Sequence, residues 1–176
     1  MVSSNFLKMA ENQHLNKIYS ILFVCLGNIC RSPAAEGILK KMVGVRGLSK
    51  HFFIDSAGIG NWHVGQLPDR RMRRLGAMEG YNFNSYARQV CREDFKNFDY
   101  IIAMDQENAS SLKSLTLSES EREKIIEMAG LLQHHPKYHI IPDPYYGNDR
   151  DFELVIELLE DACNNLLKKL QLLNNN

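Results

Sequence analysis

Ile21-Leu22-Phe23-Val24-Cys25-Leu26-Gly27-Asn28-Ile29-Cys30-Arg31-Ser32-Pro33 passes from an apolar, β-prone run through a short loop into a helix start. Ser32 is a favoured N-cap and Pro33 a favoured first helical residue, so the helix carrying Ala34, Ala35, Ile38, Leu39 and Met42 is expected to begin where the loop ends. The free N–H groups of a helix start and the positive end of its dipole suit an anion. Cys25 lies across the loop from that start with Arg31 close by, and both features favour the thiolate, the nucleophilic form of a cysteine. Gly27 and Asn28 accept backbone angles closed to most residues. The stretch Leu26, Gly27, Asn28, Ile29, Cys30 can therefore curl with its N–H groups pointing inward. Arg31 adds a planar, always-charged fork that matches two phosphate oxygens. Bare Cys-x5-Arg spacing is a weak signal. The strand before it, Gly-Asn within it and Ser-Pro after it make the reading specific.

Working outward, short apolar runs at Ile18 to Val24, His51 to Ile54, Asp99 to Ala103 and Lys124 to Met128 read as strands. Amphipathic stretches separate them. Pro68 to Glu79 carries a basic face (Arg70, Arg71, Arg73, Arg74), Gln106 to Leu115 reads as helix, and Phe152, Val155, Ile156, Leu159, Cys163, Leu166, Leu167 and Leu170 form one apolar stripe. Strands alternating with helices predict an α/β domain: a parallel sheet with helices on both faces and an anion loop between the first strand and first helix. In such sheets ligands bind beyond the strand C-termini, where Cys25 falls.

The 176 residues fit one domain, with 1–17 an extension open to disorder and 18–173 the folded unit. With 21 basic and 21 acidic residues the net charge is zero, which gives no footprint for nucleic acid or an anionic membrane. No apolar run is long enough to span a bilayer, and four cysteines without a disulfide-like framework fit a reducing, cytoplasmic setting. His134, His135 and His139 read as solvated loop residues. No His-x3-His or Cys/His cluster suits zinc, so neither metal nor cofactor is expected.

The loop resembles the active-site loop of the low-molecular-weight protein tyrosine phosphatases, whose signature is Cys, five residues, Arg, Ser. Asp55-Ser56-Ala57-Gly58, Trp62-His63-Val64-Gly65, Ala87-Arg88-Gln89, Phe98-Asp99-Tyr100, Ala103-Met104-Asp105 and Asp143-Pro144-Tyr145-Tyr146-Gly147-Asn148 resemble further family segments in family order. The resemblance implies a four-stranded sheet and hydrolysis of phosphotyrosine or small aryl phosphates through a phosphocysteine intermediate. Cys25 would be nucleophile and Arg31 the phosphate clamp. Asp143, on a Pro-rigid loop, would be the general acid. Leu26, Gly27, Asn28, Ile29, Cys30 and Ser32 would bind phosphate or hold the loop, with Ser56 in support. Trp62, Tyr145 and Tyr146 would wall the pocket. Asn84-Ser85-Tyr86 departs from relatives that carry a buttressing His just before Ala-Arg-Gln, so that support must be weaker or supplied differently. An exposed thiolate is open to oxidation, and Cys30 is the neighbouring thiol able to capture a sulfenic acid at Cys25.

Two rivals differ in chemistry. An arsenate reductase of this fold needs relay cysteines, but the third strand runs Ile101-Ile102-Ala103-Met104-Asp105 without one, and Cys91 and Cys163 suit core positions. A phosphopeptide-binding module would have no need of Cys25, Arg31 and Asp143 together. A monomer or weak dimer is expected.

Overall fold

The computed structural model describes residues 17–170, so the expected N-terminal extension, apart from Lys17, lies outside the described residues. Strands β1 (Tyr19–Cys25), β2 (Phe52–Gly58), β3 (Tyr100–Ala103) and β4 (Ile125–Glu127) form one sheet in the order β2-β1-β3-β4, with every pairing parallel. The helices are α1 (Arg31–Val45), α2 (Arg70–Met78), the single turn α3 (Asp94–Asn97), α4 (Gln106–Leu115), the single turn α5 (Glu119–Arg122) and α6 (Asp149–Lys169).

β1 is apolar from Ile21 to Cys25 because, as a central strand, it is covered on both faces. Its alternate residues divide between two cores. Ile21, Phe23 and Cys25 pack with Ile38 and Leu39 of α1 and Phe152, Val155 and Leu159 of α6. Leu22 and Val24 pack with Phe95, Phe98, Ala109 and Leu112 on the opposite face. This two-residue alternation decides where the chemistry lies, since it turns Cys25 to the α1 side. Ser56, two residues beyond Ile54 on β2, shares that side.

Three boundaries differ from the sequence reading. β2 continues beyond Ile54 because Asp55, Ser56, Ala57 and Gly58 pair in register with Leu22, Phe23, Val24 and Cys25. α6 begins before its apolar stripe, in a capping box formed by Asn148 and Asp151. The first helix starts at Arg31 with Cys30 at the N-cap, so Ser32 is its second residue and Pro33 its third. The Ser32 hydroxyl is not used as a cap because it is committed to Cys25.

Candidate active site

The Cys25 loop leaves the C-terminal end of β1 and is fastened to the segment that follows β2 by backbone bonds from Ile59 N to Cys25 O and from Gly60 N to Leu26 O, each 2.9 Å. The approach is close enough that a side chain at position 58 would press on the loop backbone. A Cβ there would lie 3.1 Å from Asn28 N and from the Gly27 carbonyl carbon. The left-handed residue of the loop is Asn28 (φ 55°), and Gly27 instead makes room for the His63 ring, whose Cδ2 would lie 2.9 Å from an added Cβ.

Behind the loop, hydrogen bonds run from a buried carboxylate to the sulfur. Glu36 Oε2 accepts from Ser56 Oγ at 2.6 Å, which leaves the Ser56 oxygen to accept from Asn28 Nδ2 at 2.9 Å. The same Asn28 amide donates its second hydrogen to Ser32 Oγ at 2.9 Å. Ser32, already an acceptor, then has its own proton for Cys25 Sγ at 3.0 Å or the Ala57 carbonyl at 3.3 Å. A carboxylate can only accept, and that fixes the direction of the series. Asn28 Oδ1 completes the inventory by accepting from Arg88 N at 2.9 Å. Asn28, Ser32 and Ser56 are therefore buried, with side chains that support the loop from behind and do not line the pocket. With Ser85 in place of a histidine, the buttress is supplied by Ser56 and Glu36.

Arg31 lies under the pocket at 2 % exposure. Its Nη1 bonds Asp105 Oδ2 at 2.6 Å and the Ile141 carbonyl at 3.1 Å, and its Nη2 bonds Asp143 Oδ2 at 2.7 Å. Its Nε is buried and, among the described residues, donates to no acceptor. Burial opposes the charge, yet Cys25, Asp143 and Asp105 outweigh it and hold the guanidinium above its already high ordinary pKa. Asp105 follows β3 and also caps α4, accepting from Asn108 N at 2.7 Å. The Asp143 loop is tied to the sheet by Ile141 N donating to Met104 O at 2.8 Å.

These elements enclose a cavity of about 170 Å³. Cys25, Leu26, Gly27, Ile29, Cys30 and Arg31 form its floor, and Trp62, His63, Asp143, Tyr145 and Tyr146 its walls. Trp62 is 60 % exposed, which makes it a wall and no part of the core. Tyr145 reaches in from the Asp143 loop, while Tyr146, at 97 % exposure, meets only its rim and stands edge-on to Tyr145 with ring centres 5.0 Å apart.

Cys30 is a buried free thiol at the N-cap. Burial pushes its pKa far above the ordinary thiol range, with Asp69, Cys25 and Asp143 adding to the effect and Arg71 opposing it. Cys163 is buried in the core as expected, but Cys91 is exposed, because Gln89 to Arg92 runs along the surface after its bridge to Gly58. Among the described residues no group of three His, Cys, Asp or Glu is placed to hold a metal ion, and no helix is long and apolar enough to cross a membrane.

Sequence reasoning missed Glu36, Asp105 and His63. Glu36 carried a signal, since it stands one helical turn after Ser32 and one before Lys40, with which it pairs at 2.5 Å. Asp105 carried one too, as an acidic residue just past the C-terminal end of a strand.

A thiol, a guanidinium with an open donor and a carboxyl group converge at the C-terminal end of one parallel sheet. That convergence, on this fold, defines a cysteine-dependent phosphoric monoester hydrolase. Residues 20–175 match the family model described as low molecular weight phosphotyrosine protein phosphatase. The low molecular weight phosphotyrosine protein phosphatase of Sus scrofa is 41 % identical over 152 residues, which cover 86 % of this chain and 96 % of that one. A protein tyrosine phosphatase from Entamoeba histolytica, solved with Hepes in its active site, superposes with a TM-score of 0.84 at 46 % identity, covering 87 % of this chain and 97 % of that one. YfkJ of Bacillus subtilis superposes with a TM-score of 0.82 at 39 % identity, over 91 % and 99 % of the two chains. The chain belongs to the low molecular weight protein tyrosine phosphatase family.

Proposed function

We propose that this phosphatase hydrolyses aryl phosphate monoesters, phosphotyrosine above all, through a phosphocysteine intermediate. The observation that carries the reading is Arg31 Nε, a buried donor with no acceptor among the described residues, on the same guanidinium that holds Asp143 and beneath the same pocket as Cys25. Leaving such a donor unmatched costs about 1–3 kcal/mol, and a phosphate oxygen satisfies it.

The reaction has two steps. Phosphate binds the loop N–H groups and takes over the Arg31 fork, freeing Asp143. The Cys25 thiolate attacks phosphorus in line, with Ser32 donating to the sulfur. The bond to the leaving oxygen breaks, and Asp143 protonates that oxygen. Asp143, now ionised, takes a proton from water as the water attacks the phosphocysteine. Inorganic phosphate leaves and the thiolate is restored. Trp62 and Tyr145 favour an aryl ring long enough to reach the recessed sulfur.

The enzyme we propose acts as a monomer or weak dimer. A thiolate nucleophile operates in a reducing compartment, which supports the cytoplasm. Cys30, the other thiol on the pocket floor, supports redox protection: a sulfenic acid at Cys25 would condense with the Cys30 thiol and release water. After peroxide and then dithiothreitol, wild type should regain most of its activity and Cys30→Ser little. Equal recovery would remove Cys30 from that role. The matched family model and relatives are phosphatases and favour neither the reductase nor the binding module.

The deciding experiment is hydrolysis of an aryl phosphate, with chelator, by wild type and Cys25→Ser. Turnover is expected in wild type and none in the variant. Activity surviving in the variant would overturn the mechanism.

A further inference from the structure

We propose that Arg71 is a positioning residue that clasps the Asp143 loop to the cysteine loop and so holds acid and nucleophile in register. The inference rests on Asp143 acting as the acid. Arg71 is the second residue of α2, outside the reacting groups, and its guanidinium is divided between two segments. Toward the cysteine loop, Nε and Nη2 grip Asp69 Oδ1 and Oδ2 at 3.1 and 2.9 Å, and Asp69 N in turn donates to the Ile29 carbonyl at 2.7 Å. Toward the acid loop, Nη2 donates to the Tyr145 carbonyl at 2.9 Å and Nη1 to the Gly147 carbonyl at 3.2 Å. Tyr145 N completes the path by donating to Asp143 Oδ1 at 3.1 Å.

Three features set this arrangement apart from an ordinary surface ion pair. The guanidinium carbon lies 4.4 Å from the ring centre of Phe152, a fully buried residue of α6, so the fork rests on an immobile core side chain. The Asp69 carboxylate also caps α2, accepting from Arg71 N at 2.8 Å, and this fixes one end of the clasp to the helix start. The Asp143 loop, by contrast, has few other ties close to the acid. Besides the Arg31 Nη2 bond to Asp143 Oδ2, which phosphate takes over in the proposed reaction, its backbone past Ile141 is held, among the described residues, by the Tyr145 N bond to Asp143, the Gly147 N to Pro144 O turn and these two carbonyl contacts. Only a planar fork makes all four side-chain bonds at once, and an ammonium at the same place could not. A misplacement of about 1 Å in a proton donor is costly to catalysis, so the clasp should be felt most where the leaving group needs its proton.

The test compares kcat/KM on nitrophenyl phosphate, whose leaving group hardly needs a proton, with phenyl phosphate, whose leaving group does. Wild type, Arg71→Met, Arg71→Lys, Asp69→Asn, Asp143→Asn and the Arg71→Met/Asp143→Asn double variant are measured, with thermal melts for each. The nitrophenyl-to-phenyl ratio should rise about tenfold in Arg71→Met and Asp69→Asn, a fraction of the full value of an acid. Arg71→Lys should not restore it. In the Asp143→Asn background, Arg71→Met should change the ratio by less than about twofold, because the group being positioned is gone.

A purely structural Arg71 would lower the melting temperature and leave the ratio at the wild-type value, and that result, with Asp143→Asn raising the ratio, overturns the clasp. An unchanged ratio in Asp143→Asn itself identifies the acid assignment as the failure and removes the clasp's purpose with it. If Arg71→Met does not fold, the ratios of Arg71→Lys and Asp69→Asn decide between the same outcomes.

Discussion

Asn28→Ala strikes the residue on which the cysteine loop turns. The asparagine is buried, sits at φ 55°, and makes three side-chain hydrogen bonds, to Ser32 Oγ, Ser56 Oγ and Arg88 N, each at 2.9 Å. Three such bonds at about 1 kcal/mol each contribute about 3 kcal/mol. An alanine also tolerates the left-handed region less well than asparagine, by about 1 kcal/mol. The expected loss is about 4 kcal/mol, which for a domain of this size lowers Tm by about 8–16 °C. Urea unfolding followed by far-ultraviolet circular dichroism measures it. Fluorescence would not serve, since the single tryptophan, Trp62, lies exposed on the pocket wall. Activity should fall as well, because without Asn28 the Ser32 proton is no longer directed to the sulfur. One hydrogen bond to a charged group is about 1.5–3 kcal/mol, or roughly a tenfold to hundredfold fall in kcat/KM. Asn28→Gly separates the two parts. It loses the same bonds without the backbone penalty and should be more stable than Asn28→Ala by about 0.5–1 kcal/mol. A loss below about 1 kcal/mol in Asn28→Ala, or a glycine variant less stable than the alanine one, would refute the account of how the loop is held.

Arg31→Lys keeps the charge but cannot reach Asp105, Ile141 and phosphate together, so kcat/KM should fall by at least about a hundredfold; near-wild-type rates would remove Arg31 from the phosphate site. Leu159→Ala, at a fully buried position between α6 and the sheet, should cost about 2–5 kcal/mol in urea unfolding with little change in KM. Burial pushes the Asp69 carboxyl up, but the side-chain and backbone bonds from Arg71 outweigh it, so its folded pKa lies below the ordinary value. Its contribution is therefore present above the unfolded carboxylate pKa of about 3.9 and lost as pH falls through the lower folded value. The stability advantage of wild type over Asp69→Asn should hold from about pH 7 to 5 and shrink below about pH 4. A pH-independent difference would show that Asp69 is not held ionised by Arg71.

How much is legible in the chain follows from the range of each interaction. The Cys25 loop is contiguous, so strand, curl, guanidinium and helix start are all within a short stretch and local propensity reports them. Ser32 reads as a cap and is not one for a tertiary reason: a hydroxyl able to cap a helix is equally able to serve a sulfur, and the parity of β1, which turns Cys25 toward α1, settles the choice. Cys91 reads as a core residue and is not one because a short apolar context does not report that its segment runs along the surface.

The sequence by itself determined the α/β alternation and pointed to the anion loop with Cys25 and Arg31, because apolar periodicity and side-chain chemistry are properties of neighbouring residues; Asp143 stood out as a candidate acid only through the family resemblance. The tertiary structure alone decided that Asp105 and Asp143 share Arg31 across 74 and 112 positions, that Glu36 steers the hydrogen bonds behind Cys25, and that Arg71 joins two loops. The physical reason is topological: the order β2-β1-β3-β4 brings distant strand ends to one edge, and no local pattern states which ends those will be.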